Sequence, residues 1–299
     1  MLDWNSPEEL CRTAIILTKL ANVWAGVYCC EILTSFGFDR EFITRKRPFQ
    51  WQLAPYFVGR YTLAIGLLCL TIMLNSTGPI NCAMLYPISF LMEISVACAS
   101  VTFAIRTIAI WSSPSVTRSL QVIVLVQVIL VLWNTSRSQA QWFDGQGCQY
   151  MDPAKTYLTV LILRVYTMFF DGIVLGLNAF KLGAVFSNKR QGRFVRLLIE
   201  QGLVYFIVAF LWNAVAVGFL IWRPNSLIGI AGVSPSSVFT VIASCRSVRH
   251  LIQLMIQDAP PRFQSPTVAT GTLQFFDTAL SQEDSTVIRD FHRSRRTKF

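Results

Sequence analysis

The chain has 299 residues, of which 53% are hydrophobic and only 14% are charged, and its formal net charge is +10. A soluble protein has about 25% charged residues, so this composition, with a mean hydropathy of +0.49, excludes most soluble enzymes and binding domains. The apolar residues also occur in long runs, not in the alternating or narrow amphipathic patterns of soluble strands and helices.

Seven long apolar segments follow one another between residues 13 and 256. A membrane span needs about 20 apolar residues, and its backbone groups must bond within the segment, which requires a helix. The sequence therefore predicts an all-α polytopic membrane protein, with a seven-helix transmembrane domain over residues 1–256. The predicted helices run from about Thr13 to Phe36, Gln52 to Leu74, Cys82 to Ile110, Leu120 to Trp133 (the shortest), Thr156 to Leu182, Leu197 to Ile221 and Leu227 to Ile256, the last bent or begun near Pro235.

The distribution of charge predicts the orientation of these helices. Lys and Arg collect on cytoplasmic loops, and the first, third and fifth loops and the C-terminal stretch are basic, whereas the alternate loops hold only Arg137, Lys155 and Arg223. The N-terminus is therefore predicted outside and the C-terminus in the cytoplasm, with residues 257–299 as a polar, mostly disordered cytoplasmic tail. The net positive charge follows from this topology, and no nucleic-acid partner is predicted.

Two kinds of modification are predicted on the outer side. The sequons at Asn75 and Asn134 are N-glycosylation acceptors by pattern, although such short motifs also arise by chance and both lie close to the membrane. Cys82 begins the third helix and Cys148 lies in the largest outer loop, so a disulfide between them would tie that loop to the helix in an oxidising compartment. The alternative is two free thiols.

Several ordered motifs resemble those of a basidiomycete family of seven-helix membrane proteins of unknown function. The motifs are YCCEILTSFGFDREFITRKRPFQWQLAPYFVGRY at Tyr28 to Tyr61, FAIRTIAIW at Phe103 to Trp111, DGIVLGLNAFKLG at Asp171 to Gly183, GLVYF at Gly202 to Phe206 and SCRSVRHL at Ser244 to Leu251. This resemblance implies the seven-helix fold and a fungal source. It implies no reaction, because the family has no established activity to carry over.

Ionisable residues inside the predicted spans are the candidate site residues, because charge is costly in a bilayer. Arg60, Glu93, Arg164 and Asp171 lie deepest and form the predicted ligand-binding or polar cluster. In one interpretation Arg60 neutralises Glu93, Asp171 or both, and the cluster only fixes helix packing. In the other, the same residues line a cavity for a small lipophilic ligand.

The remaining ionisable residues of the spans lie near helix ends. Long side chains at these positions can extend to the headgroups, so Lys19, Glu31, Arg106 and Glu200 are expected to reach the membrane boundaries.

The sequence excludes several known classes of seven-helix protein. The last helix has no lysine for retinal, and only His250 and His292 are present, which is too few for a zinc hydrolase. No nucleotide-binding or nucleophile-elbow motif occurs, and no metal or cofactor is predicted.

Two hypotheses of function remain. The first is a receptor-like or scaffolding protein without enzymatic activity, in the plasma membrane or the endoplasmic reticulum, whose partners include membrane lipids. The second is a membrane-embedded enzyme of fungal secondary metabolism that acts on a terpenoid or polyprenyl substrate. Its catalytic acids would be Glu93 and Asp171, because burial in an apolar bundle can keep a carboxyl group protonated and ready to donate a proton.

Overall fold

The apolar segments form seven long helices, in which each backbone carbonyl is satisfied within its own segment, as a lipid environment requires. The computed structural model describes residues 7–44, 51–76, 81–111, 113–137, 140–143, 147–150, 153–187, 193–222 and 232–257. The helices are α1 (Pro7–Ile43), α2 (Ala54–Asn75), α3 (Leu85–Trp111), α4 (Pro114–Arg137), α5 (Pro153–Ser187), α6 (Arg193–Trp222) and α7 (Val233–Gln257). The predicted cytoplasmic tail lies outside the described residues.

Short elements mark one end of the bundle. A 3₁₀ turn, Cys82–Met84, leads into α3, and strands β1 (Ala140–Phe143) and β2 (Gly147–Tyr150) form an antiparallel hairpin between α4 and α5. Strand β1 contacts the 3₁₀ turn and β2 contacts α5. The hairpin therefore lies over the end of the bundle at which α3 and α5 begin.

Six helices in the described part of the chain are long and apolar enough to cross a membrane. The prediction of a multi-pass, almost entirely helical protein is therefore confirmed for these six. The exception is α7, which has 25 residues but carries Arg246, Arg249 and several serines. Its Ser236, Ser237 and Thr240 are 0% exposed, so α7 lies among other helices, where it does not need an apolar surface.

The seven helices pack in chain order around two central ones. Each helix contacts the next, α7 returns to α1, and both α3 and α7 also contact helices distant in sequence. Helices α2 and α3 approach most closely at Gly59, where a Cβ atom would lie 2.9 Å from the Cβ of Cys98 and 3.2 Å from the carbonyl oxygen of Ser95. The outward faces are apolar, as at Leu68, which is 60% exposed, and this inside-out pattern is typical of membrane bundles.

The fourth helix differs from its prediction as the shortest span. Helix α4 runs for 24 residues from Pro114 to Arg137, about 36 Å at 1.5 Å per residue. Its polar ends continue the helix because their hydroxyl groups bond back to it: Thr117 donates to the carbonyl of Ser113 and Thr135 donates to that of Val131. Polar residues near a span were a poor guide to where the helix ends.

The start of the seventh helix agrees with the prediction. Helix α7 begins at Val233, so Pro235 lies in its first turn, where a missing N–H group breaks no helical hydrogen bond. The serines that follow continue the helix by bonding to its first carbonyl, since Ser236 and Ser237 both donate to Val233.

An interhelical polar network as the candidate functional site

Arg60 of α2 is paired with Asp39 of α1. The Nε atom of Arg60 lies 2.9 Å from Oδ2 of Asp39, and the side chains are 1% and 0% exposed. Two tyrosines complete the shell of the carboxylate: Tyr56 donates to Oδ1 at 2.8 Å and Tyr61 donates to Oδ2 at 3.1 Å. The positive and the negative charge are therefore buried together between the first two helices.

The rest of the Arg60 guanidinium is held by α1 and by its own helix. One terminal nitrogen donates to the hydroxyl oxygen of Tyr56 at 3.2 Å, and the other donates to the carbonyl of Ile32 at 3.1 Å and to the hydroxyl of Ser35 at 2.5 Å. The prediction that Arg60 faces the bundle is confirmed. The prediction that it neutralises Glu93 or Asp171 is wrong, because its partner is Asp39.

The sequence concealed this pair because the first helix was predicted to end at Phe36. The structure extends α1 to Ile43, which carries Asp39 alongside α2. A signal was present: Tyr56, Arg60 and Tyr61 are spaced by four and one residues, which places a donor-rich face on one side of a helix. Such a face favours an acidic partner close in the chain.

Glu93 of α3 is paired with Arg164 of α5. A terminal nitrogen of Arg164 donates to Oε1 of Glu93 at 2.5 Å, with the side chains 9% and 1% exposed respectively. Both residues belong to the predicted cluster, but their pairing was not predicted. The ion pair joins two helices that are not neighbours in the chain, because α4 lies between them in sequence.

Asp171 of α5 lies apart from both ion pairs and is 3% exposed. The amide nitrogen of Asn213 in α6 donates to Oδ2 of Asp171 at 2.6 Å and to the hydroxyl of Thr240 in α7 at 3.2 Å. Sequence reasoning missed Asn213 and Thr240, since neutral polar side chains in spans are common. The four predicted cluster residues therefore occupy three separate positions rather than one.

The inner half of α7 gathers further polar contacts. Arg246 and Arg249 both form salt bridges with Glu31 of α1, and Arg106 of α3 donates to the backbone and side chain of Ser247. Arg106 is only 7% exposed, so the expectation that it extends to the headgroups is wrong. Glu31, also 7% exposed, is likewise held within the bundle.

The two other end residues give less information. Lys19 is exposed on α1, which is compatible with an extended side chain, and the side chain of Glu200 lies outside the described residues.

The acids do not line a cavity of useful size in the described part of the chain. The cleft beside Arg60, walled by Tyr56, Gly59, Ser95 and Cys245 among others, is too narrow to admit a water molecule. The other is an open hollow of about 180 Å³ formed by residues of α1 from Gly37 to Thr44. A site for a small molecule needs about 300 Å³ or more, and neither space is bounded by Glu93 or Asp171.

The two predicted glycosylation acceptors differ in accessibility. Asn134 lies within α4 and is only 3% exposed, so a glycan at this position is incompatible with the folded bundle and that prediction is wrong. Asn75 ends α2 and is exposed, and its amide exchanges hydrogen bonds with Asn22 of α1. Its glycosylation stays a prediction.

Cys82 is disulfide-bonded. Its predicted partner, Cys148, has a side chain outside the described residues, but its backbone lies opposite Trp142 in the hairpin. Because β1 contacts the 3₁₀ turn that holds Cys82, the hairpin brings Cys148 to the correct end of the bundle. The pairing of the two cysteines stays a prediction.

Comparison with known proteins adds no assignment. No family model matches the chain, and no curated protein is significantly similar to it. The function must therefore be argued from the geometry of the bundle.

We predict that breaking the Arg60–Asp39 pair strongly reduces folded protein. Arg60→Ala leaves Asp39 buried without its cation, and removing one partner of such a pair costs about 3–5 kcal/mol. Combining Arg60→Met with Asp39→Asn removes both charges and should recover part of the loss. The measurement is the monodisperse yield from membranes and its thermal midpoint.

The control for this prediction is Arg60→Met combined with Glu93→Gln. Glu93 belongs to the other ion pair, so this combination should be worse than Arg60→Met alone. Recovery of folded yield by Glu93→Gln, and not by Asp39→Asn, would contradict the assigned pairing.

We also predict that a disulfide joins Cys82 to Cys148. Digestion of freshly prepared membranes under nonreducing conditions, followed by mass spectrometry, should recover the two peptides linked. Cys69, described as a free thiol, provides the internal control and should be alkylated without reduction. Alkylation of Cys148 before reduction would disprove the link.

Proposed function

We propose that this chain is a seven-span integral membrane protein with a receptor-like or scaffolding role and no enzymatic activity. The observation that carries the proposal is the Glu93–Arg164 ion pair. A carboxylate bound to a buried guanidinium is held in its charged form, so it is a poor proton donor. The same pair joins α3 to α5 and is well suited to fix the helices relative to one another.

The distribution of the other charges supports a structural rather than a chemical use of them. Asp39 is bound by Arg60 and two tyrosines, and Glu31 is bound by two arginines of α7. These contacts connect α1 with α2 and α7. A bundle joined by discrete polar contacts can adopt alternative arrangements, which is a requirement for a protein that transmits a change between its two ends.

The alternative of a membrane enzyme has weaker support. Proton donation to a terpenoid or polyprenyl substrate needs an acid at the wall of an apolar cavity. Glu93 is engaged by Arg164, and neither of the two best-formed spaces in the described residues is bounded by an acid of α3 or α5. We therefore do not carry the enzyme hypothesis further.

We infer that the N-terminus and the hairpin face the outside and that α7 is the seventh span. Disulfides form in oxidising compartments, and the disulfide of Cys82 lies at the end of the bundle that the hairpin covers. The basic first, third and fifth loops fall at the opposite end, as expected for cytoplasmic loops. The location is the plasma membrane or the endoplasmic reticulum.

Membership of the basidiomycete seven-helix family remains part of this proposal. Its motifs place their polar residues at contacts between helices: Arg60 meets Asp39, and Arg249 meets Glu31. The fold is compatible with what the resemblance implies. A fungal source rests on the motifs alone.

We predict opposite labelling of the two ends of α5. A cysteine introduced at Gln146, between the two strands, should react with a membrane-impermeant maleimide on intact cells. A cysteine at Ser187 should react only after the membrane is permeabilised. The parent protein, with its native thiols, gives the background, and reaction of both positions on intact cells would contradict the orientation.

The non-enzymatic role predicts that the acids can be replaced without loss of function. The double variant Glu93→Gln with Arg164→Met removes both charges of the ion pair and should restore the phenotype of a deletion strain at wild-type levels, once folded yields are matched. Asp171→Asn should do the same under the ionic conditions of the cell.

Mass spectrometry of lipid extracts gives the control for this experiment. The extracts should be the same with the wild-type protein and with either variant. A lipophilic product that is formed by the wild-type protein and lost in a variant of equal yield would establish the enzyme hypothesis and overturn ours.

A further inference from the structure

Asp171 differs from the other buried acids of the bundle. Glu31, Asp39 and Glu93 each form a salt bridge with at least one arginine. Asp171 is 3% exposed, and among the described side chains no Lys or Arg nitrogen lies within salt-bridge distance of it. A single negative charge is therefore enclosed by α5, α6 and α7 without a cation from these side chains.

The contacts of Asp171 favour an ionised carboxylate. Asn213 donates its amide nitrogen to Oδ2 at 2.6 Å, whereas a hydrogen bond between neutral N–H and O groups is about 2.9–3.0 Å long. Shorter bonds are characteristic of charged acceptors. The same nitrogen donates to the hydroxyl oxygen of Thr240 at 3.2 Å, so the amide is oriented by two helices at once.

Two oxygen atoms beside this contact are left without a donor in the described residues. They are Oδ1 of Asp171 and Oδ1 of Asn213, and both are fully buried. A buried acceptor without a hydrogen bond costs about 1–3 kcal/mol, and more when it is charged. The hydroxyl oxygen of Thr240 also keeps a free lone pair after it accepts from Asn213.

We propose that Asp171, Asn213 and Thr240 form a binding site for a small monovalent cation, Na⁺. Hard cations prefer oxygen ligands, and these three residues present a carboxylate, an amide oxygen and a hydroxyl from three different helices. One carboxylate matches one positive charge. A divalent or transition metal is a poorer fit, because the described residues contain no group of three His, Cys, Asp or Glu side chains able to hold it.

The site would give α5, α6 and α7 a shared ligand inside the membrane. Intramembrane carboxyl groups commonly mark ion sites for this reason. The proposal does not depend on the receptor-like role, because Na⁺ would stabilise this junction in a protein of any function.

The test is a thermal unfolding series on the purified full-length protein in detergent, with Na⁺ exchanged for choline at constant ionic strength. A ligand that binds only the folded state raises the midpoint with its concentration. For the wild-type protein we expect a rise on the order of 3 °C for each tenfold increase in Na⁺ above its dissociation constant. In Asp171→Asn, which keeps the shape of the side chain, the Na⁺ dependence should vanish.

The matched control is the double variant Glu93→Gln with Arg164→Met, which removes an acid of the same bundle outside the site and should keep the Na⁺ dependence. The wild-type series decides the matter even if a variant does not fold. A wild-type midpoint that does not respond to Na⁺ overturns the proposal. A midpoint that responds to pH but not to Na⁺ also overturns it, since the carboxyl group would then carry a proton.

Discussion

Charge that enters a bilayer has to be neutralised within the protein, and this constraint organises the bundle. Arg60 and Arg164 are each 1% exposed and paired with an acid from another helix. An unpaired charge at either position would be far more costly than the packing it replaces. The ion pairs therefore determine which helices lie side by side, whereas the apolar contacts around them are tolerant of rotation and sliding. Specific neighbours in this membrane protein come from polar atoms.

Helix α7 shows the same constraint from the opposite side. It is too polar to be counted among the six apolar spans, yet its Ser236 and Thr240 are 0% exposed. The other helices provide the apolar surface, and α7 provides hydroxyl, amide-accepting and guanidinium groups at the centre. Its contacts reach α1 through Glu31, α3 through Arg106 and α6 through Asn213. The most polar helix is thus the one that connects most of the others.

The sequence was sufficient for the helices and for the list of buried charges, but not for their partners. Hydrophobic runs are long and unambiguous, so the helices were predicted even where their ends were wrong. The partners of Arg60 and Glu93 depend on the lateral order of helices and on their rotation, which no local pattern encodes. Asp39 was missed because a polar residue near a span was taken as the end of the helix, whereas Tyr56 and Tyr61 retain it inside. Asn213 and Thr240 gave no signal until the fold placed them beside Asp171.

The salt bridges between Glu31 and the arginines of α7 have a consequence for biosynthesis. They join the first helix to the last, so α1 enters the membrane long before its partner has been made. During that interval the carboxylate of Glu31 has neither Arg246 nor Arg249 beside it, and α7, when it emerges, is not apolar enough to partition into lipid on its own. The two helices complete each other, and the ring can close only after translation has passed residue 249. A nascent chain that stops earlier presents an unneutralised acid within the bilayer, which is a feature that membrane quality control can recognise.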